Sequence, residues 1–167
     1  MIFDLSTAFA AVFSFLVIFA AITDVRKLKI PNWVTLALIG LFAVHVAIGP
    51  EPLPVPQHMG VATLVLVGGF VLFAFGFMGA GDVKLLAAAA LWAGPSKVLA
   101  LLACMAIAGG VLGAIMLVGR TYLLWDNGHF ALEWVARRFP LWVIRGEVPY
   151  GMAICAGALM SVPPLLL

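Results

Sequence analysis

Charged residues are scarce in this chain of 167 residues: Asp, Glu, Lys and Arg together make up 10% of it, against roughly 25% in soluble domains. Hydrophobic residues make up 65%. This composition excludes an ordinary soluble domain and predicts a membrane protein. The net charge is only +2, and no run of Lys and Arg is interleaved with aromatic residues. A nucleic-acid partner is therefore not expected.

Cysteine is also rare. Cys104 and Cys155 lie in separate apolar runs and share no Cys-x-x-Cys spacing, so we expect neither a disulfide nor a zinc site. The first apolar run lacks a preceding basic region and is long enough to span a bilayer. We therefore expect no cleavable signal peptide.

The sequence contains several long apolar runs. A bilayer core requires about 20 apolar residues per helix. The runs cover residues 5–23, 31–48, 59–77, 83–93, 98–119 and 148–166. The fourth run is short unless it extends through Asp82 or into the Gly94-Pro95 turn. The sequence predicts one all-α, polytopic membrane domain over residues 1–167, with about six transmembrane helices.

The loops between these runs differ in basic residues. The connections after the first, third and fifth runs contain Arg26, Lys27, Lys29, Lys84, Arg120, Arg137, Arg138 and Arg145. The loop "GPEPLPVPQH" after the second run has no Lys or Arg, and Lys97 is the one exception to the pattern. By the positive-inside rule, the basic connections face the cytoplasm and both termini face outward.

Residues 121–147 form the only long connection. Phe130, Trp134, Val135 and Arg138 fall at helical spacing, which favours a short amphipathic helix on the inner membrane surface. An interfacial anchor without chemistry is the favoured interpretation of this segment.

Two aspartates fall at predicted cytoplasmic helix ends. Asp24 ends the first helix in "ITDVRKLKIPNW", and Asp82 opens the fourth in "GAGDVKLL". A carboxylate in or near lipid costs roughly 2.5–3.5 kcal/mol on insertion scales, so such residues usually serve a function. Because both lie at the same predicted membrane depth, packing of the helices could bring them face to face.

Each aspartate also has a purely structural interpretation. Asp82 could be the N-cap of the fourth helix, and Asp24 could pair with the nearby basic residues in a solvated loop, which is worth under about 1 kcal/mol. Capping does not explain Gly79 and Gly81, which permit positive φ and allow another backbone, such as an extended substrate, to approach closely.

Paired carboxylates have a definite chemistry. Two ionised carboxylates about 4 Å apart repel by roughly 4 kcal/mol at an effective dielectric near 20, so one of them keeps a proton. The ionised partner can activate water while the protonated partner polarises a carbonyl, as in aspartic proteases. Lys84 follows two residues after Asp82 on a different helix face. It is either a snorkelling anchor or part of the site.

A third stretch, "EVPYGMAICAG", begins at the same predicted depth. Pro149 suits the first turn of the last helix, Tyr150 supplies a hydroxyl, and Gly151 allows close approach.

Together these stretches resemble the type IV prepilin peptidases and the related preflagellin peptidases, which are GxGD aspartic proteases of the membrane. Three patterns occur in order: Asp24, Arg26, Ile30, Pro31 and Asn32; then Gly79, Gly81, Asp82 and Lys84; then Pro149, Tyr150, Gly151, Ala153 and Ile154. The resemblance covers nearly the whole chain.

The resemblance implies that Asp24 and Asp82 are the catalytic pair, with no metal or cofactor. It implies a prepilin substrate whose N-terminal apolar helix follows a short basic leader, removed after a glycine at the cytoplasmic face of the bacterial inner membrane. Larger members also N-methylate the product and carry an N-terminal cysteine cluster. That cluster is not found here, so methyltransferase activity is not expected. The compact form resembles the CpaA/TadV-type peptidases of tight-adherence (Flp) pili.

The alternative class is a non-enzymatic membrane protein, either a transporter coupled to protons or cations or a pilus assembly subunit. A transporter would more naturally place its acids near the bilayer midplane and show repeated broken helices. No such internal repeat is present in the sequence.

Overall fold

A computed structural model describes residues 5–49, 53–125 and 148–162 of the chain. All of the regular structure in these ranges is helical. The helices of the described ranges are α1 (Leu5–Lys27), α2 (Asn32–Ile48), α3 (Val55–Ala74), α4 (Ala80–Trp125) and α5 (Tyr150–Ser161). The predicted all-α class is confirmed.

Helix α1 extends one turn beyond the predicted apolar run. The amide of Leu28 donates to the carbonyl of Asp24 at 2.7 Å, and Leu28 has a φ of 51°. A left-handed residue with this bond closes a helix C-terminus, a position that glycine usually occupies. The extended Pro31, with φ −65° and ψ 134°, then directs the chain into α2. Asp24 therefore lies inside the last turn of α1.

Helix α4 is broken at Gly94, where φ is 59° and ψ is −171°. Residues 80–93 form its first arm and residues 95–125 its second. The second arm returns toward the end of the bundle where the first began, since a Cβ on its Gly109 would lie 3.7 Å from the Tyr150 ring at the start of α5. The predicted turn at Gly94-Pro95 is thus the point where the chain reverses.

The first arm of α4 lies at the centre of the bundle. Its residues from Leu85 to Ala93 are buried, and α2 and α3 pack against α4 while α1 packs against α2 and α5. The largest fully buried aliphatic and aromatic side chains include Phe13, Leu38, Leu85, Leu101 and Ile154.

The outer surface of the bundle is strongly apolar. Leu64 and Leu99 are 75% and 76% exposed, and many other large hydrophobic residues are exposed on every long helix. Such a surface suits lipid rather than water. Within the described residues, three stretches are long and apolar enough to cross a membrane, Leu5–Lys27, Val55–Ala74 and Ala80–Val118, while α2 and α5 are apolar but shorter. The molecule is a membrane protein, and the number of its crossings stays a prediction.

Candidate active site

Asp24 lies in the last turn of α1 and is 5% exposed. Its Oδ2 accepts a hydrogen bond of 2.8 Å from the backbone amide of Gly151. The interpretation of Asp24 as a partner of basic residues in a solvated loop is therefore wrong, because the carboxylate is buried against the start of α5. An amide donor in this position fixes the orientation of a carboxylate.

This contact leaves no room for a side chain at position 151. A Cβ at position 151 would lie 2.7 Å from Oδ2 of Asp24 and 2.8 Å from its Cβ. The buried Pro149 directly precedes α5 instead of occupying its first turn, and Tyr150 is the first helical residue. The stretch "PYG" thus brings a free helix N-terminal amide against Asp24.

Asp82 is the third residue of α4, so it is not the N-cap of this helix. Its Oδ2 accepts a hydrogen bond of 3.2 Å from the amide of Gly79, the residue that precedes the helix. This is one half of a capping box. Its Oδ1 is buried and has no hydrogen-bond partner within the ranges that the structure describes. One oxygen of Asp82 therefore stabilises the helix start, and the other is free.

The two predicted glycines allow close approach, but not through positive φ. The left-handed glycines in the described residues are Gly76 and Gly94, so the expectation of positive φ at Gly79 or Gly81 is wrong. A Cβ on Gly79 would lie 2.8 Å from Oδ2 of Asp82, and one on Gly81 would lie 3.3 Å from Cβ of Ile30. Gly81 thus packs against the segment that links α1 to α2.

Lys84 contacts the same segment. Its Nζ donates a hydrogen bond of 3.2 Å to Oδ1 of Asn32, across 52 residues of sequence. Lys84 is exposed, whereas the Asp82 side chain is half-buried. Asn32 was not among the predicted site residues, although it lies in the "IPN" pattern that could have indicated it.

These contacts bring Asp24 and Asp82 together from helices that are far apart in sequence. The link that follows Asp24 contacts Gly81, the neighbour of Asp82, and the charge of Asp24 acts on Asp82. Gly79 contacts Asp82 and Gly151 contacts Asp24. Gly81 and Lys84 contact Ile30 and Asn32 at the same end of the bundle, which we call the site end. Two neighbouring carboxylates cannot both ionise without strong repulsion, so this geometry suits shared-proton chemistry.

Other predicted features lie elsewhere. The amphipathic helix predicted within residues 121–147 involves Phe130, Trp134, Val135 and Arg138, which lie outside the described residues. Among the residues that the structure describes, no group of three or more His, Cys, Asp or Glu side chains could hold a metal ion.

A lateral groove reaches the site end of the bundle at Asn32 and Lys84. Helices α2 and α3 both pack on α4, and a cavity of about 800 Å³ lies between them. Its lining is apolar along most of its length, from Phe42 and Leu91 to Val55 at the far end, and includes Asn32 and Lys84 at the site end. Along α2 it extends from Asn32 to Val46, which is about 21 Å of helix.

The sequence was also compared with known protein families, curated proteins and solved structures. A model of the type IV leader peptidase family matches residues 11–117. The matched region contains Asp24, Asp82 and the glycines beside Asp82, and it ends before α5. No curated protein and no solved structure gives a match. Because the family model matches well over half of the chain, this protein belongs to the type IV leader peptidase family, whose members are membrane peptidases that act on prepilins.

Proposed function

We propose that this protein is an aspartic endopeptidase that removes the short basic leader from type IV, Flp-like prepilins, with Asp24 and Asp82 as its catalytic pair. The observation that carries the proposal is the placement of the two carboxylates: the charge of Asp24 acts on Asp82, Asp24 is held by the Gly151 amide, and Asp82 has one buried oxygen without a hydrogen-bond partner among the described residues.

The chemistry requires one ionised and one protonated carboxylate. The ionised group takes a proton from a water molecule, whose oxygen attacks the carbonyl carbon of the scissile bond. The protonated group donates its hydrogen to the carbonyl oxygen, so that no full negative charge develops there. Collapse of the tetrahedral intermediate breaks the C–N bond, and a proton passes to the leaving amine. Oδ1 of Asp82 is free to make such a contact.

The groove between α2, α3 and α4 provides a place for the substrate. We assign it to the N-terminal apolar helix of the prepilin. Its lining is mostly apolar, Asn32 and Lys84 lie at the site end, and Lys84 is two residues from Asp82. A helix lying in this groove would bury apolar surface along its length and leave the preceding peptide bonds, including the scissile one, beside the carboxylates.

The orientation in the membrane follows from charge. Arg26, Lys27 and Lys29 lie at the site end, and Lys84 joins them there. The positive-inside rule places this end at the cytoplasmic face of the bacterial inner membrane. A basic leader would then remain in the cytoplasm while the apolar helix of the substrate stays in the bilayer.

The direct test is cleavage by the purified protein. Reconstituted into liposomes with a candidate prepilin, it is expected to release a leader that ends in glycine, and mass spectrometry of both fragments identifies the bond. A Glu51→Gln variant is the matched control, because its acid lies in the loop that the charge pattern assigns to the opposite face. If none of the candidate prepilins from the host is cleaved, the result would contradict the proposal and favour a non-enzymatic role.

A further inference from the structure

The break in α4 leaves a backbone carbonyl without its normal donor. In a continuous helix the amide of residue 95 would donate to the carbonyl of Leu91. Residue 95 is proline, which has no N–H to donate. Leu91 is buried, and buried backbone carbonyls are nearly always hydrogen-bonded, because leaving one without a donor is costly. Something else must therefore bond to it.

His58, in the first turns of α3, supplies that donor. Its Nδ1 lies 2.8 Å from the carbonyl oxygen of Leu91, and its side chain is 7% exposed. A carbonyl oxygen can only accept, so the Nδ1 atom carries the hydrogen. The ring also packs on Phe42, with 5.7 Å between centroids.

Gly94 and the His58 ring are in close contact. A Cβ on Gly94 would lie 2.6 Å from Nε2 of His58, so any larger residue at position 94 would displace the ring. The φ of 59° at Gly94 also favours glycine. The Gly-Pro break and the histidine together form one structural unit at the end of the bundle opposite the aspartates.

Along the chain, the Gly-Pro break lies between the segment that carries Asp82 and the segment that carries Gly151. The first arm of α4 begins with Asp82. The second arm packs closely on α5, since a Cβ on Gly157 would lie 2.6 Å from the carbonyl oxygen of Leu101. The second residue of α5 is Gly151, whose amide holds Asp24. The angle between the two arms of α4 thus determines where the Asp82 backbone lies relative to the Gly151 amide that orients Asp24.

We propose that His58 is a positioning residue for the peptidase reaction: its hydrogen bond to Leu91 fixes the reversal of α4 and so sets the relative position of the two carboxylates. This inference rests on the proposed catalytic role of the pair. Leu91 follows Asp82 by nine residues, about 14 Å along a helix, so His58 acts through the fold and does not touch the reacting atoms.

The test compares two isosteric substitutions. His58→Asn keeps an N–H donor near the position of Nδ1, whereas His58→Leu has nearly the same shape and no donor. We expect the Leu variant to lose at least about tenfold in kcat, because small misplacements of catalytic groups are costly, with KM for the prepilin nearly unchanged. The Asn variant is expected to retain most of the wild-type kcat.

A distance measurement tests the same inference without cleavage. Helix α3 packs on the first arm, where a Cβ on Gly69 would lie 2.8 Å from Val83. Spin labels at the exposed positions 64 and 107 therefore report on the angle between the arms, once Cys104 and Cys155 are replaced by alanine. The distance distribution is expected to broaden in His58→Leu and to stay narrow in His58→Asn.

His45 provides the matched control. It is buried in the same layer, stacked on Trp92 at 5.4 Å between centroids, but its Nδ1 has no hydrogen-bond partner in the described ranges. His45→Asn and His45→Leu should therefore behave alike. Equal kcat values and equal distance distributions in the two His58 variants would overturn the role of His58. A protein that cleaves no prepilin, but whose arms loosen only in His58→Leu, would overturn the proposed function alone.

Discussion

The amide of Gly151 donates a hydrogen bond to the carboxylate of Asp24 across 127 residues of sequence, with 2.8 Å between the two atoms. This bond joins the first and last described helices at the site end. It also brings a buried carboxylate to rest on a helix N-terminus, where the free amides and the helix dipole favour an acidic group. The predictions below depend on this arrangement.

Gly151→Ala is expected to impair cleavage severely. Its methyl group would lie 2.7 Å from Oδ2 of Asp24, so α5 or the carboxylate must move, and misplacement by about 1 Å can cost a hundredfold in rate. The measurement is kcat for prepilin cleavage in liposomes. Gly113→Ala, where nothing lies within 4 Å of the added atom, is the control and should cleave at the wild-type rate. Equal activity of the two variants would remove Gly151 from the site.

Gly81→Val is expected to reduce cleavage while leaving membrane insertion intact. The added Cβ would lie 3.3 Å from Ile30, and the further methyl groups of valine would press on the link between α1 and α2. Gly68→Val, in open space on α3, controls for the lower helix propensity of valine. Wild-type turnover in Gly81→Val would show that the close packing of this glycine on Ile30 does not matter for cleavage.

Lys84→Met is expected to raise KM for the prepilin more than it lowers kcat. The substitution keeps the apolar stem that lines the groove but removes the ammonium group bonded to Asn32. An exposed bond of this kind is worth about 1 kcal/mol or less, so folding should change little. Asn32→Leu should have a similar effect, and the double variant should be scarcely worse than either single one. Additive effects on KM would contradict a shared role.

The membrane topology is tested by cysteine labelling on a background without Cys104 and Cys155. A cysteine at position 27 should react only from the cytoplasmic side and one at position 54 only from outside, as the distribution of basic residues predicts. Position 138, which lies outside the described residues, should follow position 27. Labelling of position 27 from outside would invert the molecule and remove the access of leader peptides to the site.

Much of the fold could be predicted from hydrophobicity, because helices in lipid must satisfy their own backbone. The apolar runs correspond to α1, α2, α3, the two arms of α4, and α5, and "GP" at residues 94–95 correctly indicated a turn. The helix ends were less predictable. The closure of α1 at Leu28 uses a left-handed leucine, which no sequence rule would favour over glycine.

The candidate site was predictable only in part. The shared predicted depth of Asp24, Asp82 and Gly151 indicated that helix packing could make them neighbours, and the structure shows the Gly151 amide bonded to Asp24. Which atoms meet could not be predicted, because the contacts join residues from separate helices: Gly151 with Asp24, and Lys84 with Asn32. Nor could spacing rules indicate His58, whose partner is a carbonyl left free by Pro95 on another helix.

The central claim is that Asp24 and Asp82 act as one catalytic unit, and the prepilin cleavage rates of Asp24→Asn and Asp82→Asn test it most directly. Asn keeps the shape of the carboxylate but cannot serve as the ionised base or carry the shared proton. We expect each single variant to lose cleavage while it still inserts and binds prepilin, and the double variant to be scarcely worse, because residues that act as a unit are not additive. A purely structural role predicts instead a loss of about 1 kcal/mol in stability with turnover retained. Substantial cleavage by either single variant, with folding verified by thermal unfolding, would contradict the account.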